Sequence, residues 1–187
     1  MGCGVLIRYT GLMIRAATQE DIPGIARVHV DAWRETYAGL IPQEVLANLS
    51  VNERAAMWRR ALGERSATSL LVYEREGDVV GFAAAGPERE GHARYTGELY
   101  AIYLLQKVHG RGYGKALFLG AMRSLRAVGH DAARLWVLES NPARGFYEYM
   151  GGERLERKTV AMMGATLTEV AYGWLELSDL LPNEQRS

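Results

Sequence analysis

Residues Glu98 to Lys115 read E-L-Y-A-I-Y-L-L-Q-K-V-H-G-R-G-Y-G-K. The first half, Glu98 to Leu105, is dense in aromatic and branched side chains and reads as a buried strand. Glycine then takes every second place, at Gly110, Gly112 and Gly114. Beyond the glycines, Leu117, Ala121, Leu125 and Val128 recur at helical spacing. Strand, glycine loop and helix therefore follow in order. A helix N-terminus carries unpaired N–H groups at the positive end of its dipole, and glycines let a ligand come close to that main chain. The guest such a loop suits is a phosphate.

Two phosphate loops do not match it. The pattern G-x-x-x-x-G-K-[ST] requires glycine where His109 stands and a hydroxyl where Ala116 stands. The dinucleotide fingerprint G-x-G-x-x-G, started at Gly110, meets Lys115 in place of its third glycine. This argues against a nucleotide hydrolase. The stretch His109 to Gly114, H-G-R-G-Y-G, resembles motif A of the GNAT superfamily of N-acetyltransferases, [QR]-x-x-G-x-[GA], with His109 in place of the usual Gln or Arg. A second stretch, E-S-N-P-A-R-G-F-Y-E-Y-M-G-G from Glu139 to Gly152, is similar to motif B of the same superfamily, N-x-x-A-x-x-F-Y-x-x-x-G-[FG]. Its alanine, Ala143, comes one residue early, and Gly145 precedes Phe146. Asn141 before Pro142 is also a good helix N-cap, and capping alone would explain it.

The resemblance covers about residues 13–177 and implies an α/β (α+β) domain. It would hold a mixed, twisted sheet of about seven strands with helices on both faces. The strand at Glu98 should be central and should part from the strand at Asp131 to Leu138. The expected element order is β-α-α-α-β-β-β-α-β-α-β-β. Strands are expected at Met13 to Thr18, Thr68 to Glu74, Val79 to Gly86, Glu153 to Met163 and Thr166 to Leu177, with a hairpin turn at Glu76-Gly77-Asp78. Asp21 is the expected cap of the first helix and Ser50 of the third. Residues 1–12 read as an N-terminal extension, without the Ser or Thr at position 6 that myristoylation needs, and residues 178–187 as a polar tail.

A chain of 187 residues, 48% hydrophobic and 24% charged, suits one domain with a sizeable core. Formal net charge is zero, so no basic excess points to nucleic acid. One cysteine, Cys3, excludes an internal disulfide, and four scattered histidines lack ligand spacing, so no metal is expected. No apolar run reaches the length of a membrane span, which favours a soluble cytoplasmic protein. A homodimer is left open.

The resemblance further implies transfer of an acetyl group from acetyl-CoA, as cosubstrate, to a primary amine in a ternary complex. Cofactor binding would fall to His109, Gly110, Arg111, Gly112, Tyr113, Gly114 and Lys115, to main-chain groups of Ile102, Tyr103 and Leu104, and to Asn141. Trp33 and Tyr37 either complete the core stripe of Ile22, Ile25, Ala26 and His29 or wall the acceptor site. An amine with pKa about 10.4 needs roughly 4–5 kcal/mol to be neutral at pH 7, so a base is wanted. Glu98 is the first candidate, with His29, His92 and Glu139 as rivals. Tyr147 is the candidate donor to the departing sulfur. A non-catalytic acyl-CoA sensor on the same fold is the alternative.

Overall fold

The computed structural model describes residues 7–9, 12–63, 69–162 and 165–181. Leu12–Ala16 (β2) opens the domain, and a short strand before it, Ile7–Tyr9 (β1), pairs with it antiparallel at the sheet edge. The first helix, Ile22–Thr36 (α1), follows a 3-10 turn, Gln19–Asp21. Asp21 is not a simple cap. Its carboxylate accepts from the N–H and hydroxyl of Thr18 and takes both terminal nitrogens of Arg15, at 2.6 and 2.7 Å, so it welds the turn to β2. That guanidinium holds its pKa down at about 2, against the opposing effect of burial.

Two short connections later come Gln43–Ala47 (α2) and Val51–Gly63 (α3). Ser50 Oγ accepts from Glu53 N at 3.2 Å, the capping bond its spacing suggests. Ser69–Arg75 (β3) and Asp78–Pro87 (β4) form a hairpin whose turn residues, Glu76 and Gly77, have φ of 55° and 85°. Both central residues being left-handed is the two-residue turn that matches strand twist. Gly97–Leu104 (β5) lies against β4, and Tyr113–Ala127 (α4) and Ala133–Leu138 (β6) follow. The helix after β6, Arg144–Tyr149 (α5), starts two residues later than proline at its first position would require. Glu153–Met162 (β7), Ala165–Trp174 (β8) and the short helix Leu177–Leu180 (α6) end the domain. Leu177 and Leu181 are buried, so the packed chain runs past the expected tail boundary at 178, while 182–187 lie outside the described residues.

The sheet order is β1-β2-β3-β4-β5-β6-β8-β7, with β5–β6 the parallel pair among antiparallel ones. The expected seven are β2 to β8, and β1 is an eighth at the edge. Helices cover both faces. On one, the α1 ring of His29 stacks on Tyr103 of β5 and meets Phe82 of β4. On the other, α4 packs Leu117 against Gly81 and Leu125 against Gly97, where an added Cβ would lie only 3.2 and 3.1 Å from those side chains. Burial of side chains such as Phe82, Phe118, Leu117, Met122 and Leu135, each worth about 1.5–3 kcal/mol, holds the layers together.

Two features of β5 shape the cleft beside it. First, β5 carries a bulge. Ala84 faces Ala101 and Ala85 faces Leu99, so Tyr100 is the extra residue. Second, β5 and β6 pair only at Gly97↔Ala133 and Glu98↔Arg134, then separate, as the resemblance implied. Each keeps its other neighbour: β5 pairs with β4 as far as Leu104↔Gly81, and β6 with β8 as far as Leu138↔Glu169.

Candidate active site

The parting of β5 from β6 leaves one edge of β5 without a strand partner. Leu105 N donates to Val80 O on β4 at 3.1 Å. Main-chain groups alternate between the two edges of a strand, so those of Leu104 and Ile102 face the gap. Those of Tyr103 face β4, which removes it from the three expected to pair with a ligand through main chain. Its ring instead lies over His29. At the end of this edge His109 Nε2 donates to Leu104 O at 3.1 Å, tying the glycine loop to the strand. That contact is what the His at the first motif position makes here.

In the loop, Gly110 and Gly112 have φ of 73° and 81°, a region that side chains other than glycine's rarely adopt. A Cβ at either would meet nothing within 4 Å, so conformation, not crowding, calls for these two glycines. Gly114 has no positive φ, and a Cβ there would be in ordinary contact with Leu104 and Phe146. Ala116 N donates to Gly112 O at 3.0 Å, the first bond of α4. The N–H groups of Tyr113, Gly114 and Lys115 precede it and have no acceptor within the helix. His109, Arg111 and Lys115 are exposed, and Tyr113 stacks on Tyr73 with centroids 4.4 Å apart. The Phe146 contact sets α5 beside the start of α4. Arg144 Nε, at the start of α5, is buried without a hydrogen-bond partner among the described residues. Exposed N–H groups and a free strand edge along one cleft fit a ligand that carries phosphates and an amide chain.

Behind the cleft sits a group of phenols. Tyr37, at the end of α1, is buried, packs edge-on to Trp33 at 4.9 Å, and receives Asn141 Nδ2–H at 3.4 Å. It belongs to a small apolar cluster with Ile41, Leu46 and Leu138, separate from the main core. Trp33 and Tyr37 thus leave the stripe of α1 and cover the C-terminal end of β6. Asn141 is buried too, and its Oδ1 accepts from Ala143 N at 2.8 Å. Its side chain is therefore engaged at both ends, in capping and in holding Tyr37. Burial raises the pKa of Tyr37, Tyr103 and Tyr147, and the three phenols feel one another. Each stays protonated at neutral pH and so keeps a proton available to donate.

His29 is excluded as a base by its contacts. Trp58 Nε1–H donates to its Nδ1 at 3.0 Å, so the proton of the neutral ring is on Nε2. Burial, aided by Arg54, lowers its pKa to about 3. His92 Nδ1 is likewise taken, by the N–H groups of Arg94 and Tyr95 in the loop after β4. Glu139 is paired with Arg154 and Arg157.

Glu98 is not the solvated strand-end acid its position suggests. It is 2% exposed and forms an ion pair with Arg89. The Arg89 Nε and main-chain N–H also donate to it, at 3.1–3.2 Å. It lines a cavity of about 330 Å³ with Arg89, Glu90, Trp136, Lys158 and Glu169, on the sheet face that α1 leaves open. Below this cavity lies Arg134, buried, whose guanidinium binds Glu88 at 2.5 Å, Glu90 at 2.7 Å and Glu156 at 2.5 Å. The loop after β4 is thereby fixed to β6 and β7. Sequence reasoning missed Glu169. The available signal was strand alternation: Glu169 falls on the face of β8 occupied by Leu167, Ala171 and Gly173, a place for small or apolar residues. Among the described residues no group of three or more His, Cys, Asp or Glu could hold a metal ion, and no helix is long and apolar enough to cross a membrane.

The sequence profile described as the acetyltransferase (GNAT) family matches residues 26–151. An uncharacterised N-acetyltransferase of Bacillus subtilis (strain 168) is 40% identical over 168 residues, which are 89% of this chain and 95% of the relative. A ribosomal-protein-alanine N-acetyltransferase from Brucella melitensis superposes with a TM-score of 0.70 at 27% identity, over 88% of this chain and 99% of that one. An acetyltransferase from Salmonella typhimurium, solved with its cofactor acetyl-CoA, has the same fold, with a TM-score of 0.69 at 22% identity over 95% of this chain and 98% of that one.

Proposed function

From the premise that the chain belongs to the GNAT family of acetyl-CoA-dependent acetyltransferases, we propose that it moves the acetyl group of acetyl-CoA to a primary amine by direct attack in a ternary complex. The observation that carries the reading is the separation of β5 from β6 after two paired positions, beside a helix N-terminus with free N–H groups. One cleft thus offers a phosphate cradle and an unpaired strand edge, and it opens onto a polar cavity on the other side.

The N–H groups of Gly110 to Lys115 hold the pyrophosphate, with Arg111 and Lys115 as cationic partners. Main-chain groups of Ile102 and Leu104 hold the amide chain. Asn141 acts by fixing Tyr37 and the start of α5. When bound, the thioester supplies an activated acetyl carbonyl, so no covalent enzyme intermediate is needed. Tyr147 donates a hydrogen bond to the sulfur as negative charge grows there. Burial makes its phenol a weaker acid, which favours donation over release of the proton. Trp33 and Tyr37 wall the acceptor side. Glu98, with its oxygens engaged by Arg89, positions the loop after β4 at the mouth of the cavity.

The test is release of free thiol from acetyl-CoA by the purified protein against a panel of amino acids, amino-acid amides and short alkyl amines. Amine-dependent release supports the reading. Coenzyme A binding with no release for any amine would leave a binding protein on the same fold.

A further inference from the structure

The cavity between β5, β6 and β8 holds three carboxylates, and only one of them is left under-paired. Glu98 is engaged by Arg89. Glu90 accepts from both Arg134 and Lys158. Glu169, 16% exposed, has as its ion-pair partner among the described residues only Lys158 Nζ at 3.9 Å, outside hydrogen-bond reach. It lies on β8 directly opposite Leu138, where the wall of Tyr37 begins, and it lines the same cavity as Glu98. The carboxylate is therefore within the field of Tyr37 on one side and of Glu98 and Arg89 on the other.

We propose that this cavity receives the acceptor as a compact primary ammonium, and that Glu169 is the group that takes its proton. The inference rests on the acetyl-transfer reading and deepens it. Formal charges among the lining residues are three negative and two positive, Arg89 and Lys158, which leaves room for one more cation. The volume, about 330 Å³, is that of roughly ten waters, enough for a molecule of amino-acid size. In the step, the ammonium gives one proton to a Glu169 oxygen. The freed nitrogen lone pair forms the C–N bond with the acetyl carbonyl carbon, and the C–S bond breaks with its electron pair on sulfur. The second nitrogen proton neutralises the thiolate, and Glu169 returns its proton to solvent.

The local charges support this assignment. Burial raises the pKa of Glu169, Glu90 and Glu98 push the same way, and Lys158 and Arg89 oppose them. A raised carboxylate is a stronger base than an exposed one, and remains ionised only above its own pKa. Activity toward alkyl amines should therefore fall as pH drops through that value.

The experiment compares Glu169→Gln, Glu98→Gln, Lys158→Met and the parent protein, with acetyl-CoA and the best amine of the panel. Hydroxylamine, already neutral at pH 7, serves as a second nucleophile. Glu169→Gln should lower kcat/KM for the alkyl amine about 100-fold and abolish the acidic limb of the pH profile. It should leave hydroxylamine turnover and the thermal shift with coenzyme A unchanged. Glu98→Gln should keep the acidic limb. Lys158→Met should move that limb to higher pH, and this arm reads the same group should Glu169→Gln fail to fold. The proposal is overturned if the limb survives in Glu169→Gln, if hydroxylamine turnover falls as far as that of the alkyl amine, or if the limb stays put in Lys158→Met. Absence of amine-dependent thiol release by the parent protein would instead sink the acetyl-transfer reading, and this outcome is seen before any variant is made.

Discussion

Gly112→Asp separates the two jobs of the glycine loop. Gly112 sits at φ 81° immediately ahead of α4, with open space where a Cβ would go. A left-handed residue costs about 1–2 kcal/mol, less for Asp than for most, so the free protein should melt only a few degrees lower, at about 2–4 °C per kcal/mol. Ligand binding should suffer far more. Two like charges about 4 Å apart at an effective dielectric of about 20 repel by about 4 kcal/mol, close to a 1,000-fold loss of affinity. Coenzyme A at about one hundred times its dissociation constant should stabilise the parent protein by about 2.7 kcal/mol, a shift of about 5–10 °C. The same concentration would be about a tenth of the dissociation constant for the variant, and the shift should vanish. Gly112→Ala carries the strain without the charge, and should lower the melting temperature of the free protein while keeping a measurable shift. Scanning fluorimetry with and without coenzyme A reads all three. An undiminished shift in Gly112→Asp would remove this loop from the phosphate site.

Tyr147→Phe should lower kcat while the coenzyme A shift and the acidic limb of the pH profile persist, because it acts on sulfur alone; loss of the limb would contradict that role. Asn141→Ala should cost about 1–2 kcal/mol in urea unfolding, through the lost bond to Ala143 N and the freed Tyr37 hydroxyl. Glu88 gives an acid-stability prediction. Although burial opposes it, the N–H groups of His92 and Glu90 and the Arg134 guanidinium hold Glu88 at about 2, below its ordinary 4.5. Its contribution, about 1–3 kcal/mol after solvent screening, is complete above pH 4.5 and is lost as pH falls toward 2. Stability measured across that window should flatten in Glu88→Gln, and an unchanged slope would show that Glu88 is not the titrating group.

The parts of this molecule that obey local rules were legible in the chain. The glycines at 110 and 112 announce a left-handed loop, and the periodicities of β5 and α4 announce the flanking elements. The hairpin at Glu76-Gly77 and the Ser50 cap are likewise set by neighbours in sequence. What could not be read depends on pairings across the fold. Glu98 looks like a surface acid until Arg89 is brought back upon it by the loop after β4. Asn141 caps one turn, and its link to Tyr37 spans more than a hundred residues. His29 kept two roles open in sequence, core residue and base, and a single bond from Trp58, on a helix that periodicity alone does not orient, leaves it one. Glu169 drew no notice because its meaning comes from the space beside it, which is made by β5 and β6 moving apart.

The bulge at Tyr100 has a consequence for how such a protein changes over generations. Tyr103 and Ala101 share a sheet face with Phe82 and Ala84, and simple alternation would carry that face on to Leu99. The extra residue resets the count, so Glu98 joins that face and Leu99 turns to α4. The strand is thus two reading frames joined at one residue. Ahead of Tyr100 the Glu98 side chain faces the polar cavity, and after it the main chain of Ile102 and Leu104 forms the edge without a strand partner. If that cavity admits the acceptor as proposed, mutational drift in the first frame should retune which amine enters without disturbing the second. Directed evolution of acceptor choice should therefore start from Glu98, Tyr100 and their neighbours across the cavity, and leave Ala101 to Leu104 alone.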